Sequence, residues 1–102
     1  MSKRIKVATV QEVPPGTSKQ VEIEGKSIAL FNVGGTFYAI GNECTHAGAS
    51  LAEGTAEGEE VECPWHGARF NLKTGAVLCP PAAVGVPAFK VAVSGSDIEI
   101  EL

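Results

Sequence analysis

The chain has 102 residues, 44% of them hydrophobic, which suits one compact domain with its own core and leaves no room for a second, catalytic one. Twelve acidic residues against eight basic ones give a formal net charge of -4, which argues against nucleic acid and favours basic protein partners. No apolar run approaches the roughly 20 residues that span a bilayer, and Ser2-Lys3-Arg4-Ile5-Lys6-Val7 leads into Ala8-Thr9-Val10-Gln11-Glu12 rather than a signal-peptide core, so a soluble, cytoplasmic protein is expected.

In chain order, the alternation of Ile5, Val7 and Thr9 against Lys6 and Ala8 predicts a first strand over Arg4 to Val10, ended by the turn Pro14-Pro15-Gly16. Gln20-Val21-Glu22-Ile23-Glu24 alternates cleanly and is closed by Gly25-Lys26. The more continuously apolar Ser27 to Val33 is its hairpin partner. Gly34-Gly35 is a tight-turn signal, after which Thr36-Phe37-Tyr38-Ala39-Ile40 returns as a strand.

The small, glycine-rich run Ala47 to Gly58 has no helical stripe and reads as loop, with room for one turn of helix. Glu60-Val61-Glu62-Cys63 is a short strand. Ala68-Arg69-Phe70-Asn71-Leu72 and Ala76-Val77-Leu78 form a hairpin around the turn Lys73-Thr74-Gly75. Cys79-Pro80-Pro81 is expected to stop the pairing, because proline has no N–H for a ladder and restricts its predecessor. Phe89-Lys90-Val91-Ala92-Val93 and Asp97-Ile98-Glu99-Ile100-Glu101 close the chain as a hairpin around Ser94-Gly95-Ser96. The fold class expected is therefore all-β, an antiparallel sandwich or partly open barrel.

Four of the five cysteines and histidines fall into two short loops, Cys44-Thr45-His46 and Cys63-Pro64-Trp65-His66, with 16 residues between His46 and Cys63. Each loop offers one soft thiolate and one borderline imidazole, the donor set of a metal site. Both sulfurs can serve one iron and both nitrogens another in a centre with two inequivalent irons. Two cysteines and two histidines also make a structural zinc site, so a zinc-stapled interaction domain is the alternative. Zinc loops usually pair like ligands, however, whereas both loops here are mixed. Gly48 and Gly67 follow closely on the two ligand pairs, where backbone N–H groups can approach a sulfide, and Pro64 stiffens the second loop.

This pattern, C-x-H, a spacer, then C-x-x-H, resembles that of the Rieske iron-sulfur proteins, and the resemblance extends over essentially the whole chain. It implies that Cys44 and Cys63 hold one iron, and His46 and His66 the other, of a single 2Fe-2S cluster. It also implies a base of residues 1–41 and 83–102 carrying a cluster-binding subdomain at about 42–82. Within the family the sequence is similar to the small soluble ferredoxins that feed electrons to aromatic-ring-hydroxylating oxygenases. The partners implied are a flavin-dependent ferredoxin reductase and a terminal oxygenase, with the chain itself a monomer and no enzyme. The alternative within the family is the small Rieske subunit of another reductase, such as nitrite reductase.

Relatives in the cytochrome bc complexes carry a disulfide between the loops, where this chain has Ala49 and Trp65. They also carry a serine and a tyrosine that donate to cluster sulfur, where it has Ala68 and Phe70. A potential at the low end of the Rieske range, on the order of -150 mV, is the expectation. Trp65 is read as a shield against water. Cys79 is read as a structural thiol, since no histidine remains to activate it. Glu53, Glu57, Glu59, Glu60 and Glu62, all between the two ligand loops, form either a solvated loop or a docking surface.

Overall fold

The computed structural model describes residues 4–43, 50–64, 68–79 and 85–101. Among these residues ten strands form two antiparallel sheets: β1 (Arg4–Thr9), β2 (Ser18–Ile23), β3 (Lys26–Val33), β4 (Thr36–Gly41), β5 (Thr55–Glu57), β6 (Glu60–Glu62), β7 (Arg69–Asn71), β8 (Val77–Cys79), β9 (Ala88–Ser94) and β10 (Asp97–Glu101). The larger sheet runs β1-β10-β9-β4-β3-β2, and the smaller one β5-β6-β7-β8. Edge strands β1 and β2 face each other across an open seam lined by Ile5, Val7, Val21 and Ile23. The larger sheet is thus a barrel that stops short of closure. Among the described residues the only helical pieces are 3-10 turns at Val10–Glu12 and Leu51–Glu53.

β3 divides the interior, and its unbroken apolar run is the reason it can. Successive residues of a strand point to opposite faces, and Ile28, Ala29, Leu30 and Phe31 are all buried. Ile28 and Leu30 face the barrel interior with Val13, Val21, Ile98 and Ile100. Ala29 and Phe31 face the opposite way, into a second core with Ile40, Val61, Phe70 and Leu72. The smaller sheet therefore lies against the outside of β3 and β4. Burial of each large side chain contributes about 1.5–3 kcal/mol, so the two cores hold sheet and barrel together from both sides of one strand.

The hairpin β3–β4 turns through Gly34 and Gly35, whose φ values of 61° and 93° are what a two-residue hairpin turn requires at both positions. Buried Asn32 secures it: the Gly35 N–H donates to Asn32 Oδ1 (2.9 Å), and Asn32 Nδ2 donates to the Val13 carbonyl (2.7 Å).

Two expectations from sequence need correction. The stretch read as loop up to Gly58 contains β5, which pairs antiparallel with β6. Only Ala56 of its three residues turns inward, so no alternation is long enough to read from sequence. Cys79 does not end the pairing at the preceding residue, because it still pairs with Arg69, past a register shift between Arg69 and Phe70. The bulge absorbs the extra residue.

Candidate metal centre

Both ligand loops grow from fixed roots. The first leaves β4 through Asn42 and Glu43 and returns at Ser50, where Glu43 and Ser50 form an isolated antiparallel bridge. Asn42 is 3% exposed and binds on three sides. Its N–H donates to the Ser27 carbonyl (3.0 Å), its carbonyl accepts from the Leu51 N–H (2.7 Å), and its Oδ1 accepts from Ser50 Oγ (3.1 Å) and the Ala52 N–H (3.0 Å). The Ala52 carbonyl accepts in turn from Ser18 Oγ on β2.

The second loop leaves β6 at Cys63 and re-enters β7 after Ala68. The Cys63 N–H donates to the Ala68 carbonyl across 2.7 Å, which closes the loop at its base. Cys63 is 2% exposed and shares the second core with Leu51, Ala68, Phe70 and Val86. The two roots are also in direct contact. A Cβ added at Gly54, just past the Leu51–Glu53 turn, would stand 2.2 Å from the carbonyl oxygen of Glu62, the residue before Cys63. Only a glycine lets the first loop's return segment lie so close to the strand that delivers the second.

A third connection reaches the same region. β8 ends at Cys79 beside Arg69, and the chain returns at Gly85–Val86, where the Val86 N–H donates to the Gly75 carbonyl (2.8 Å). The Gly41 N–H donates to the Pro87 carbonyl (2.8 Å), fastening this return to the end of β4.

Of the four ligands expected from sequence, Cys63 is the one among the described residues, buried at the foot of its loop. Cys44, His46 and His66 lie outside the described residues, as do Ala49, Trp65 and the prolines after Cys79. The positions where a hydroxyl was noted as missing, Ala68 and Phe70, are completely buried. Sequence reading missed Asn42 and Gly54. The available signal was a polar residue ending an apolar strand two positions before Cys44, and a glycine whose space is taken up by a strand distant in sequence.

Two thiolates and two imidazoles on loops with adjoining roots suit a binuclear iron-sulfur group, since the core beneath Cys63 is apolar and the loop bases are already closed. Comparison with known proteins identifies the group. The family model of the Rieske 2Fe-2S domain matches residues 3–90, and the chain belongs to that family. One Rieske-type 2Fe-2S cluster is accordingly its cofactor. The chain is 48% identical over 100 residues to the 3-phenylpropionate/cinnamic acid dioxygenase ferredoxin subunit of Shigella boydii, covering 97% of this chain and 93% of that one. Among solved structures it is similar to the ferredoxin in a complex of reduced oxygenase and oxidised ferredoxin of carbazole 1,9a-dioxygenase (TM-score 0.87, 38% identity, 95% of this chain and 91% of that one). A nitrite reductase small subunit from Mycobacterium tuberculosis has the same fold (TM-score 0.90, 100% and 96% covered) at 24% identity.

Proposed function

We propose that this chain is the ferredoxin component of an aromatic-ring-hydroxylating dioxygenase system, carrying single electrons from a flavin-dependent reductase to a terminal oxygenase. The observation that carries the reading is the end-to-end match with a dioxygenase ferredoxin subunit, at 48% identity and 93% of that protein's length. The alternative as a nitrite reductase subunit has only a shared fold in its favour.

Cys44 and Cys63 would hold one iron through thiolates, and His46 and His66 the other through imidazole nitrogens. When bound, the cluster supplies a one-electron couple. The neutral imidazoles make reduction easier than an all-thiolate set would, which is why such centres lie at about -150 to +300 mV against about -400 mV for plant-type ferredoxins. Cys63 is buried in an apolar core with Leu51, Phe70 and Val86, which keeps water from its side chain. Ala68 and Phe70 offer no hydroxyl to cluster sulfur, so backbone N–H groups alone stabilise the added negative charge. With both histidines used as ligands, none remains for a second, oxygen-activating iron. Catalysis belongs to the partner.

The division into a base of residues 1–41 and 83–102 and a cluster-binding subdomain at about 42–82 is supported by the sheets: β1–β4 with β9 and β10 make the barrel, and β5–β8 the smaller sheet. A monomeric cytoplasmic protein is the reading for the assembly and its compartment. No helix among the described residues is long and apolar enough to cross a membrane.

Two measurements test the function in sequence. Iron and acid-labile sulfide analysis with a visible spectrum separates a 2Fe-2S centre from zinc, and a colourless zinc protein would end the proposal. Oxygenase turnover in a reconstituted system with reductase and NADH should then depend on this chain. Turnover that is unchanged when the chain is omitted would overturn the carrier role.

A further inference from the structure

Asn42 ties both ends of the first ligand loop to one point. Its carbonyl and its side chain bind Ser50, Leu51 and Ala52, the three consecutive residues at which the chain comes back from the loop, while its own N–H is fixed to β3 at Ser27. The amide orientation follows from the chemistry, because the Ala52 N–H can only donate and so must meet Oδ1. Residue 42 is also 3% exposed, so water cannot readily replace an acceptor lost there. Holding a loop's ends together removes conformations that metal binding would otherwise have to remove.

We propose that Asn42 is a positioning residue for the cluster, fixing the root of the loop that carries Cys44 and His46. This rests on the reading of those two residues as ligands. Asn42 touches no iron; it acts through the root of the loop. Without its acceptor oxygen the Ala52 N–H and the Ser50 hydroxyl lose their shared partner, and the loop base opens on the side that carries two of the four donors.

The test compares cluster-loaded wild type with Asn42→Ala, Ser50→Ala, Ile98→Val and Cys44→Ala. Iron release to a chelator is read at 25 °C, and the EPR spectrum of the reduced proteins in frozen solution. Asn42→Ala should release iron roughly tenfold faster, the effect of losing one or two ordinary hydrogen bonds, and should broaden or shift the g-values. Ser50→Ala, which keeps the Ala52 bond, should release iron about threefold faster. Ile98→Val removes a methyl group from the other core and controls for general destabilisation.

Release from Asn42→Ala no faster than from Ile98→Val, with wild-type g-values, would overturn the proposal. If Asn42→Ala does not accumulate as folded protein, Ser50→Ala decides: a wild-type release rate in it overturns the proposal as well. Cys44→Ala, which leaves no donor at position 44, separates the two levels. A cluster retained there at full occupancy removes the ligand reading and the proposal with it, whereas a cluster lost there with no effect at Asn42 removes only the role of Asn42.

Discussion

The backbone N–H of Cys63 donates to the carbonyl oxygen of Ala68 across 2.7 Å, with both residues buried. The second ligand loop is therefore closed by main chain and not by the side chain at position 68. A serine there would place a hydroxyl where high-potential relatives have their donor to cluster sulfur. Ala68→Ser is expected to raise the potential from about -150 mV by several tens of millivolts. The size follows from a hydrogen bond worth roughly 1–2 kcal/mol to the reduced state, given that about 59 mV is tenfold in a one-electron equilibrium. Because Ala68 is fully buried, a hydroxyl without a partner would cost about 1–3 kcal/mol of stability. Voltammetry with a thermal scan of each protein decides it: an unchanged potential with a lowered Tm would mean the hydroxyl does not reach the cluster.

Replacing a neutral donor by an anionic one should act in the opposite direction. His46→Cys is expected to keep at best an altered cluster with a markedly lower potential, since a thiolate adds negative charge before the electron arrives. Visible and EPR spectra with voltammetry read the change. A spectrum and potential identical to wild type would strike His46 from the ligands.

Alternation was a reliable guide in β2 and β10 but not in β1, where a register shift between Lys6 and Ala8 turns Ala8 inward, nor at the end of β9, where Val93 is exposed. Val21 and Ile23 in β2, and Ile98 and Ile100 in β10, are buried as their period required. The unbroken run in β3 signalled burial on both faces, but not that its two faces serve different cores, which depends on where the smaller sheet lies. β5 escaped notice because one inward residue, Ala56, makes no period. The donor set could be proposed from sequence alone because sulfur and imidazole at that spacing have few other uses. Asn42 and Gly54 were not, since each takes its meaning from a neighbour brought up by the fold: the returning Ser50–Ala52 segment for one, the Glu62 carbonyl for the other.

The acidic segment between the loops is less a loop than a sheet face. Glu57, Glu60 and Glu62 line an open groove with Thr55 and Arg69. Glu60 is 3.7 Å from Arg69, and Glu59, in the turn, is 4.0 Å from Lys73. Exposed pairs of this kind contribute little to stability, so Glu57→Gln, Glu60→Gln and Glu62→Gln should leave the Tm nearly unchanged. Electron transfer with a basic partner surface should slow in these variants, and in wild type as salt rises, because the Debye length falls from about 10 Å at 0.1 M to about 3 Å at 1 M. Stopped-flow rates that stay flat across that range, in wild type and variants alike, would leave the face without a docking role.

Gly54 and Gly58 stand four residues apart and should respond to alanine in an order that backbone conformation alone would reverse. Gly58 has a φ of 60°, in the left-handed region that costs an alanine about 1–2 kcal/mol, yet a Cβ there meets nothing within 4 Å. Gly54 has an ordinary φ of -79°, but its Cβ would stand 2.2 Å from the Glu62 carbonyl oxygen and 3.2 Å from that of Leu51. Both obstacles are backbone, so neither can swing aside, and the return segment of the first loop must lift off the strand that ends at Cys63. Overpacking of this kind costs about 1–3 kcal/mol, with the upper end expected where backbone meets backbone. At roughly 4–8 °C per kcal/mol for a domain of this size, Gly54→Ala should melt below Gly58→Ala by several degrees, both measured with cluster bound and at one scan rate. It should also release iron faster, because the separation of the two ligand loops has changed. Equal melting temperatures, or the reverse order, would show that the return segment yields freely and that its contact with Glu62 does not hold the loops in register.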